Sequence, residues 1–497
     1  MTDFFSALKK KIYRTNNRKK RIQKRNMKAN RWLMWWLILS LVPLGIMGWQ
    51  VIRVDPFFHY RAPKTEEYYY PLNNERSQNN GILKRFEYDA LITGTSMTQN
   101  FRPSEMDQMF GVHAIKVPFA LASLKEINDN IAIALENNPE LKVVIRAVES
   151  SFLTQDKDKM TSINYPTYLY DKNPFNDINY LLNGDVIFNR VFPMIADRKK
   201  DGFVPGITSF DDYSTWQNPC GINEATYDGI VIKEAGNPVH LTEDEKTTVK
   251  DNVQQNIIDL AVQHPQVVFQ YYFPPFSAVW MQFRVDDGTL YKTIEAEMIA
   301  AEMMLQCPNI HLFFFDNRTD IIMDMNNYSD SHHYAPWINS LILKWISEDE
   351  GRLTEDNYET ELSKALCFYT SFDYGTLATQ EDYEDDFFAA ALLNRQLTGA
   401  EPDVLCEEEI GKGNLEALHT DGYRYLSFYA RRNSDSAEKR PGVVVRDEEG
   451  NTLSQCEEYP ADGQWHRYTL DLGRLKGAAH VTADGDNTVT FRCFILY

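Results

Sequence analysis

Tyr88-Asp89-Ala90-Leu91-Ile92-Thr93-Gly94-Thr95-Ser96-Met97 joins a short apolar run to a glycine and a serine. Residues 88–93 are too few for a typical helix and run into Gly94, which has no Cβ, and this predicts a buried strand followed by a tight turn. A serine just beyond a strand stands where open parallel sheets bind their ligands. The glycine before it lets a backbone N–H face a developing oxyanion. Gly-x-Ser tripeptides are common and most are plain turns, so the role of this one depends on its surroundings.

Downstream, strand-like and helix-like runs alternate. Residues 113–119, 141–149 (LKVVIRAVE), 266–272 and 309–315 (NIHLFFF) read as strands. Ser104 opens a short helix toward Phe110, residues 124–136 and 291–306 read as helices, and Thr242 starts a long amphipathic helix to about His264. Strands separated by helices of this length predict a parallel five-stranded sheet covered on both faces, an α/β fold of the flavodoxin-like kind. Continuous apolar runs such as VVFQYYF fit burial on both faces. Residues 154–237, rich in Asn, Asp, Tyr and Pro, interrupt the alternation as an insertion of the kind that shapes substrate clefts.

After about Ser363 the pattern changes. Residues 423–431, 442–446, 466–471 and 488–497 are short strands between Gly, Asp and Asn, and no long helix intervenes beyond about 381–395. This predicts a C-terminal antiparallel β-sandwich over 368–497, joined to an α/β domain over 55–363.

The other end is basic. The first 31 residues hold twelve Lys or Arg and one acid, while the whole chain carries −20, so the remainder stands near −31. An acidic ectodomain is a poor partner for nucleic acid, which needs a basic face. Residues 32–52 (WLMWWLILSLVPLGIMGWQVI) are uncharged, with Trp32, Trp35, Trp36 and Trp49 near the ends. That predicts one transmembrane helix over 32–52, a basic cytoplasmic tail over 1–31 and an external C-terminus. Six cysteines without a CxxC pair exclude a zinc ribbon or thioredoxin site.

A second cluster follows the fifth strand: Asn327-Tyr328-Ser329-Asp330-Ser331-His332-His333-Tyr334. Asp330 and His333 share one turn, so the carboxylate can orient the imidazole while its other nitrogen faces a serine. Two alternatives stand beside this reading. One is a plain helix N-terminus capped by Asp330. The other is a metal site of Asp330, His332 and His333, disfavoured because no HExxH or comparable partner occurs elsewhere. Neither metal nor other cofactor is expected.

Taken together, these pieces resemble the SGNH/GDSL hydrolase superfamily, in which a nucleophilic serine follows the first strand and a late Asp-x-x-His completes the site. Ser96, Asp330 and His333 match those positions in type and order. The resemblance covers about residues 55–356 and is closest to membrane-anchored members from Gram-positive bacteria. It rests also on Val54-Asp55-Pro56-Phe57-Phe58-His59-Tyr60, Asn74-Glu75-Arg76, Ile92-Thr93-Gly94-Thr95-Ser96-Met97 and Phe273-Pro274-Pro275-Phe276-Ser277.

Two family blocks depart from the pattern. The loop expected to hold a glycine for the oxyanion hole reads Pro118-Phe119-Ala120-Leu121-Ala122-Ser123. The asparagine of the third block is replaced by Arg146-Ala147-Val148-Glu149. Oxyanion donors are therefore expected from the N–H of Ser96 and from Ala120 or Ala122. Arg146 is a further candidate unless it pairs with Glu149.

The resemblance implies a membrane-tethered serine esterase or O-acyltransferase acting on acyl groups, acetyl foremost, of a cell-wall or surface glycan. The alternative is a catalytically impaired surface protein that binds polysaccharide or a partner enzyme. Expected partners are the lipid bilayer, the glycan or cell-wall polymer, and other polysaccharide-assembly proteins. Gly463-Gln464-Trp465-His466-Arg467-Tyr468 resembles the penultimate strands of carbohydrate-binding jelly rolls, with Trp465 either core or a sugar platform.

Overall fold

The computed structural model describes residues 2–161, 165–216, 218, 220–226, 231, 233–380, 403–406, 408–417, 425–433, 442–457, 459–461, 463–472 and 479–496. The chain forms two compact units, one of Met1–Pro71 with Pro166–Ile207, the other of Leu72–Tyr165 with Thr208–Tyr497. The expected insertion is thus divided, residues 166–207 belonging with the N-terminal helix.

The larger unit is built on a sheet of strands β1 (Ala90–Gly94), β2 (Ala114–Pro118), β3 (Val143–Ala147), β4 (Val268–Phe273), β5 (Ile310–Phe314) and β6 (Arg352–Leu353). Their order is β2-β1-β3-β4-β5-β6, the first five parallel and β6 antiparallel to β5. The order 2-1-3-4-5 is that of flavodoxin-like doubly wound sheets. The sixth strand is an addition to the expected five. Gly351, at φ +74, turns the chain back so that its carbonyl accepts from Phe314, and two residues pair before the chain leaves.

Local chemistry sets the helices. α1 (Thr2–Val54) belongs to the smaller unit. α2 (Glu75–Arg85) is capped by Asn74, whose side chain accepts from the Ser77 N–H. α3 (Pro103–Phe110) begins one residue before the expected Ser104, with Pro103 in its first turn; the N–H and hydroxyl of Ser104 go to Asp211 instead. α4 (Leu124–Asn137) and α5 (Glu243–Val253) each start with a full capping box, Ser123 with Glu126 and Thr242 with Glu245. α5 runs on through a π turn at Gln254–Ile258 to Asp259–Gln263. α6 (Leu290–Leu305) lies between β4 and β5, and α7 (Pro336–Ser347) follows the Asp330–His333 cluster.

The C-terminal strands are β7 (Asp403–Cys406), β8 (Lys412–Ala417), β9 (Tyr425–Arg432), β10 (Gly442–Arg446), β11 (Thr452–Cys456), β12 (Trp465–Asp471), β13 (Ala479–Asp484) and β14 (Val489–Leu496). They form two antiparallel four-stranded sheets, β8-β13-β10-β11 and β12-β9-β14-β7. Leu426, Phe428, Val443, Val481, Phe491 and Phe494 fill the core they share. Trp465 is half-buried and lies between two guanidiniums, Arg431 at 4.5 Å and Arg492 at 4.3 Å, so it is neither core nor an open platform. The helix expected near 381–395 lies outside the described residues.

In the smaller unit α1 contains one stretch, Asn30–Val54, long and apolar enough to cross a membrane. Its end is tied by Asp55, whose carboxylate accepts from the N–H groups of His59, Tyr60 and Arg61 and from the Tyr180 hydroxyl. Asp177 takes the Tyr60 hydroxyl at 3.1 Å and His59 Nε2 at 3.3 Å. The Asp55–Tyr60 motif is therefore a structural knot that holds residues 177–180 against the helix end.

Candidate active site

β1 has β2 on one side and β3 on the other, so the chain leaves its carboxyl end at the topological switch point. Ser96 sits there, at the start of a 3₁₀ turn, Ser96–Thr98. Gly94 makes the turn possible. Its φ is +153, and a Cβ on it would lie 2.6 Å from Thr98 Cγ2. The turn is clamped from α7's side, where Tyr334 Oη and Asn339 Nδ2 donate to the Met97 carbonyl at 3.2 and 2.9 Å. The buried Lys116 of β2 supports the loop after the turn by donating to the carbonyls of Gln99 and Phe101.

Asp330 and His333 reach Ser96 from the far end of the sheet, across 237 residues of chain. Ser96 Oγ is 2.7 Å from His333 Nε2, and His333 Nδ1 is 2.6 Å from Asp330 Oδ2. Asp330 Oδ1 accepts from the backbone N–H groups of His332 and His333 at 2.9 and 2.8 Å. The loop is closed by Ser329 N–H to the His333 carbonyl and held at Ser331 by the Ser277 hydroxyl. Burial alone would raise the Asp330 carboxyl, but the His333 hydrogen bond and the imidazoles beside it outweigh that and hold it at about 2. It is thus an anion able to stabilise a cationic imidazole.

His332 lies beside the pair without reaching between Asp330 and Ser96: its ring is 4.0 Å from that of His333 and its Nδ1 is 3.2 Å from Asp330 Oδ1. Its ring packs on Trp280 at 4.9 Å, and Arg284 covers the other part of that indole at 4.4 Å. Burial, then the charge of His333, push His332 down to about 4, so it is neutral at physiological pH. The ligand atoms of Asp330, His332 and His333 lie within 4.8 Å of one another. Both His333 nitrogens already have partners, so a cation bound by all three would have to break the contacts to Ser96 or Asp330.

Of the expected oxyanion donors, Ala120, Ala122 and Arg146 are engaged elsewhere. The Ala120 N–H donates to Glu75 Oε2 at 2.7 Å, and the Ala122 N–H to the Phe119 carbonyl at 3.1 Å. Arg146 is fully buried, with its guanidinium donating to the carbonyls of Asn256 and Leu124 and lying over the Tyr271 ring. It neither reaches Ser96 nor pairs with Glu149. The N–H groups of Ser96 and Leu121 have no protein partner among the described residues. Leu121 stands at the loop crest with φ +57, a conformation glycine adopts freely, and is 72% exposed. Glu75 and Arg76 pin this loop, Arg76 donating to the Ala120 carbonyl at 2.8 Å, which gives Asn74-Glu75-Arg76 a physical role.

Two contributors escaped sequence reasoning. Glu149, two residues past β3, accepts a hydrogen bond from Thr95, the neighbour of Ser96. Burial pushes its carboxyl up to about 7, against the lowering effects of Thr95 and of His333. Trp216, from the insertion, meets the His333 ring in a T-shaped contact at 5.8 Å, and its backbone N–H donates to Asn100 Oδ1. The neighbouring residues line an open cleft of about 580 Å³ formed by Leu72, Asn74, Glu75, Gln99, Asp212 and Thr215, among others.

Comparison with protein-family models finds no match, and comparison with curated proteins finds none either. Among solved structures, an arabinose-bound α-L-arabinofuranosidase, MgGH51, is 17% identical with a TM-score of 0.14, covering 19% of this chain. The chain spans 18% of the length of that enzyme. The Bacillus licheniformis lipase BlEst2 in propeptide form is 11% identical, with a TM-score of 0.17 over 82% of this chain and 73% of the lipase. At these TM-scores neither likeness bears on fold or activity.

Proposed function

We propose that this chain is a membrane-tethered serine esterase or O-acyltransferase of the SGNH/GDSL kind, working on acyl groups of an extracytoplasmic glycan. The observation that carries the reading is the continuous chain from Ser96 Oγ to His333 Nε2 at 2.7 Å and from His333 Nδ1 to Asp330 at 2.6 Å. It lies at the carboxyl edge of a parallel sheet, where such folds bind ligands. Ser96 Oγ attacks the ester carbonyl as its proton passes to His333 Nε2, and Asp330 stabilises the resulting imidazolium. The Ser96 N–H faces the tetrahedral oxyanion. Collapse breaks the ester C–O bond, His333 returns the proton to the leaving alcohol, and an acyl-Ser96 remains. Water then completes an esterase cycle, and a sugar hydroxyl completes an acyl transfer. The basic tail before the apolar span supports an external active site by the positive-inside rule.

A second reading has its own observation. With Ala120, Ala122 and Arg146 all committed to other partners, only the Ser96 N–H remains of the donors expected for the oxyanion hole. That favours a surface protein that binds polysaccharide or a partner enzyme without turnover. A fluorophosphonate probe on the detergent-solubilised full chain separates the two. Labelling of the wild type that is lost in Ser96→Ala and in His333→Ala supports the serine enzyme. No labelling of a cooperatively melting protein supports the binding reading.

A further inference from the structure

The smaller unit carries an apolar surface that its own fold leaves uncovered. Phe175 is 89% exposed, Ile178 52%, Phe188 56% and Phe192 38%, and the rings of Phe188 and Phe192 meet edge to face at 5.5 Å. Monomeric soluble surfaces seldom gather large apolar side chains this way without a partner.

Their place in the fold says what covers them. The Ile178–Leu181 helix packs directly on α1 at Gly48, where a Cβ would lie 3.7 Å from Leu181 Cβ and 3.8 Å from Leu182 Cδ2. Tyr180 is tied to Asp55, and Arg190 lies over the Phe57 ring at 5.0 Å, so Val186–Val191 is bound to the same end of the helix. At about 1.5 Å rise per residue the apolar stretch Asn30–Val54 is roughly 37 Å long, against a hydrocarbon layer of about 30 Å. Gly48 lies only about 9 Å short of Val54, which puts the elements resting on it at the edge of the hydrocarbon. Trp49, 56% exposed, marks the same level.

Charge agrees with apposition to a membrane. Residues 166–207 contain five Lys or Arg and five Asp, whereas the chain after residue 31 stands near −31. The surface around the span exit is thus neutral in an otherwise acidic ectodomain, free of the repulsion an anionic leaflet would impose. Attraction must then come from apolar insertion rather than from charge.

We propose that Phe175, Ile178, Phe188 and Phe192 enter the outer leaflet beside the span, so that the smaller unit is seated in the membrane surface as well as threaded through it. This rests on the reading of Asn30–Val54 as a membrane span. The leaflet takes the aromatic side chains at headgroup depth, and the Asp55 knot holds them at a fixed height.

Photocrosslinking tests it on the full chain reconstituted in vesicles of phosphatidylcholine and phosphatidylglycerol. Benzoylphenylalanine replaces Phe188, Phe192, Trp49 as the span marker, or Val262, a 63% exposed residue of the larger unit. Lipid adducts at Phe188 and Phe192 should match those at Trp49, exceed those at Val262 about tenfold or more, and persist in high salt. Adducts at Trp49 without adducts at Phe188 and Phe192 overturn the seating and leave the span intact. Absence of adducts at Trp49 overturns the span, and the seating with it. Chain-to-chain adducts at Phe188 in place of lipid overturn the lipid assignment and make the surface a protein interface.

Discussion

Replacing Glu149 by Gln changes one proton and little else, and the structure says what that proton is worth. Glu149 is 8% exposed and accepts from Thr95, and His333, Tyr272 and Tyr334 are the titratable groups that face it. Its carboxyl holds its proton to about 7, where an ordinary glutamate loses it near 4.5. The unfolded chain therefore releases a proton between those values that the folded chain keeps, and stability falls as pH rises through that window. At about 1.4 kcal/mol per unit, the cost grows from nothing below the lower value to roughly 3 kcal/mol above the upper one. A glutamine is neutral throughout and still accepts from Thr95. Glu149→Gln should thus melt with the wild type near pH 5 and several degrees above it near pH 8. Ionised Glu149 also sets a negative charge beside the nucleophile, opposing the oxyanion. Ester hydrolysis by the wild type should then fall above about pH 7, while Glu149→Gln keeps its rate there. A melting difference that is the same at both pH values would refute a protonated Glu149, and a wild-type rate flat through pH 8 would refute its influence on Ser96.

The remaining substitutions probe the triad and its turn. Asp330→Asn removes the anion held at about 2 and should lower kcat for a chromogenic acetate ester by roughly 10⁴-fold, while His332→Ala, which removes a ring packed on Trp280 and His333 but leaves the Asp330–His333–Ser96 chain intact, should cost less than about tenfold. A larger loss for His332→Ala than for Asp330→Asn would move the base by one residue. Gly94→Ala forces a Cβ to 2.6 Å from Thr98 at φ +153 and should lose about 2 kcal/mol in urea unfolding together with fluorophosphonate labelling. Leu121→Gly relieves a side chain at φ +57 in an exposed loop and should leave stability within about 1 kcal/mol, with hydrolysis unchanged or faster. A complete loss of hydrolysis in Leu121→Gly would make that side chain part of the substrate site.

Much of this architecture was legible because it rests on local pattern. Apolar runs of strand length, separated by capped helices such as those opened by Ser123 and Thr242, define the parallel sheet wherever they fall in the chain. The turn at Gly94 and the spacing of Asp330 and His333 are likewise written in a few adjacent residues. The oxyanion donors were not, because an N–H is free or taken according to partners far along the chain. Ala120 is spent on Glu75, 45 residues earlier, and Arg146 on a carbonyl 110 residues later. Trp216 had no signal beyond its presence in an insertion, and the partners of Arg146 and Glu149, three residues apart, are Asn256 and Leu124 for the one and Thr95 for the other, none of which their spacing can indicate. The division of the insertion escaped for the same reason. Only tertiary contacts such as Tyr180 to Asp55 show that residues 166–207 belong with the helix at the N-terminus.

The C-terminal sheets bear on the site through α7. Arg467 of β12 is 6% exposed and lies over the Trp337 indole at 5.0 Å, and Trp337 stands in the first turn of the helix that follows His333 and Tyr334. The neighbouring His466 is bonded to Glu224, and the Arg467 carbonyl accepts from the Cys220 N–H. A guanidinium taken this far out of water is costly unless the surface that covers it is always present. The sandwich is therefore fitted to the α/β core at a place four residues from the His333 imidazole, through the same insertion that supplies Trp216. Met97, whose carbonyl is held by Tyr334 and Asn339, completes the circuit back to the Ser96 turn. The sheets thus brace the helix from whose side Tyr334 and Asn339 hold the Ser96 turn, a role that needs no sugar bound at Trp465, whose indole is covered by Arg431 and Arg492.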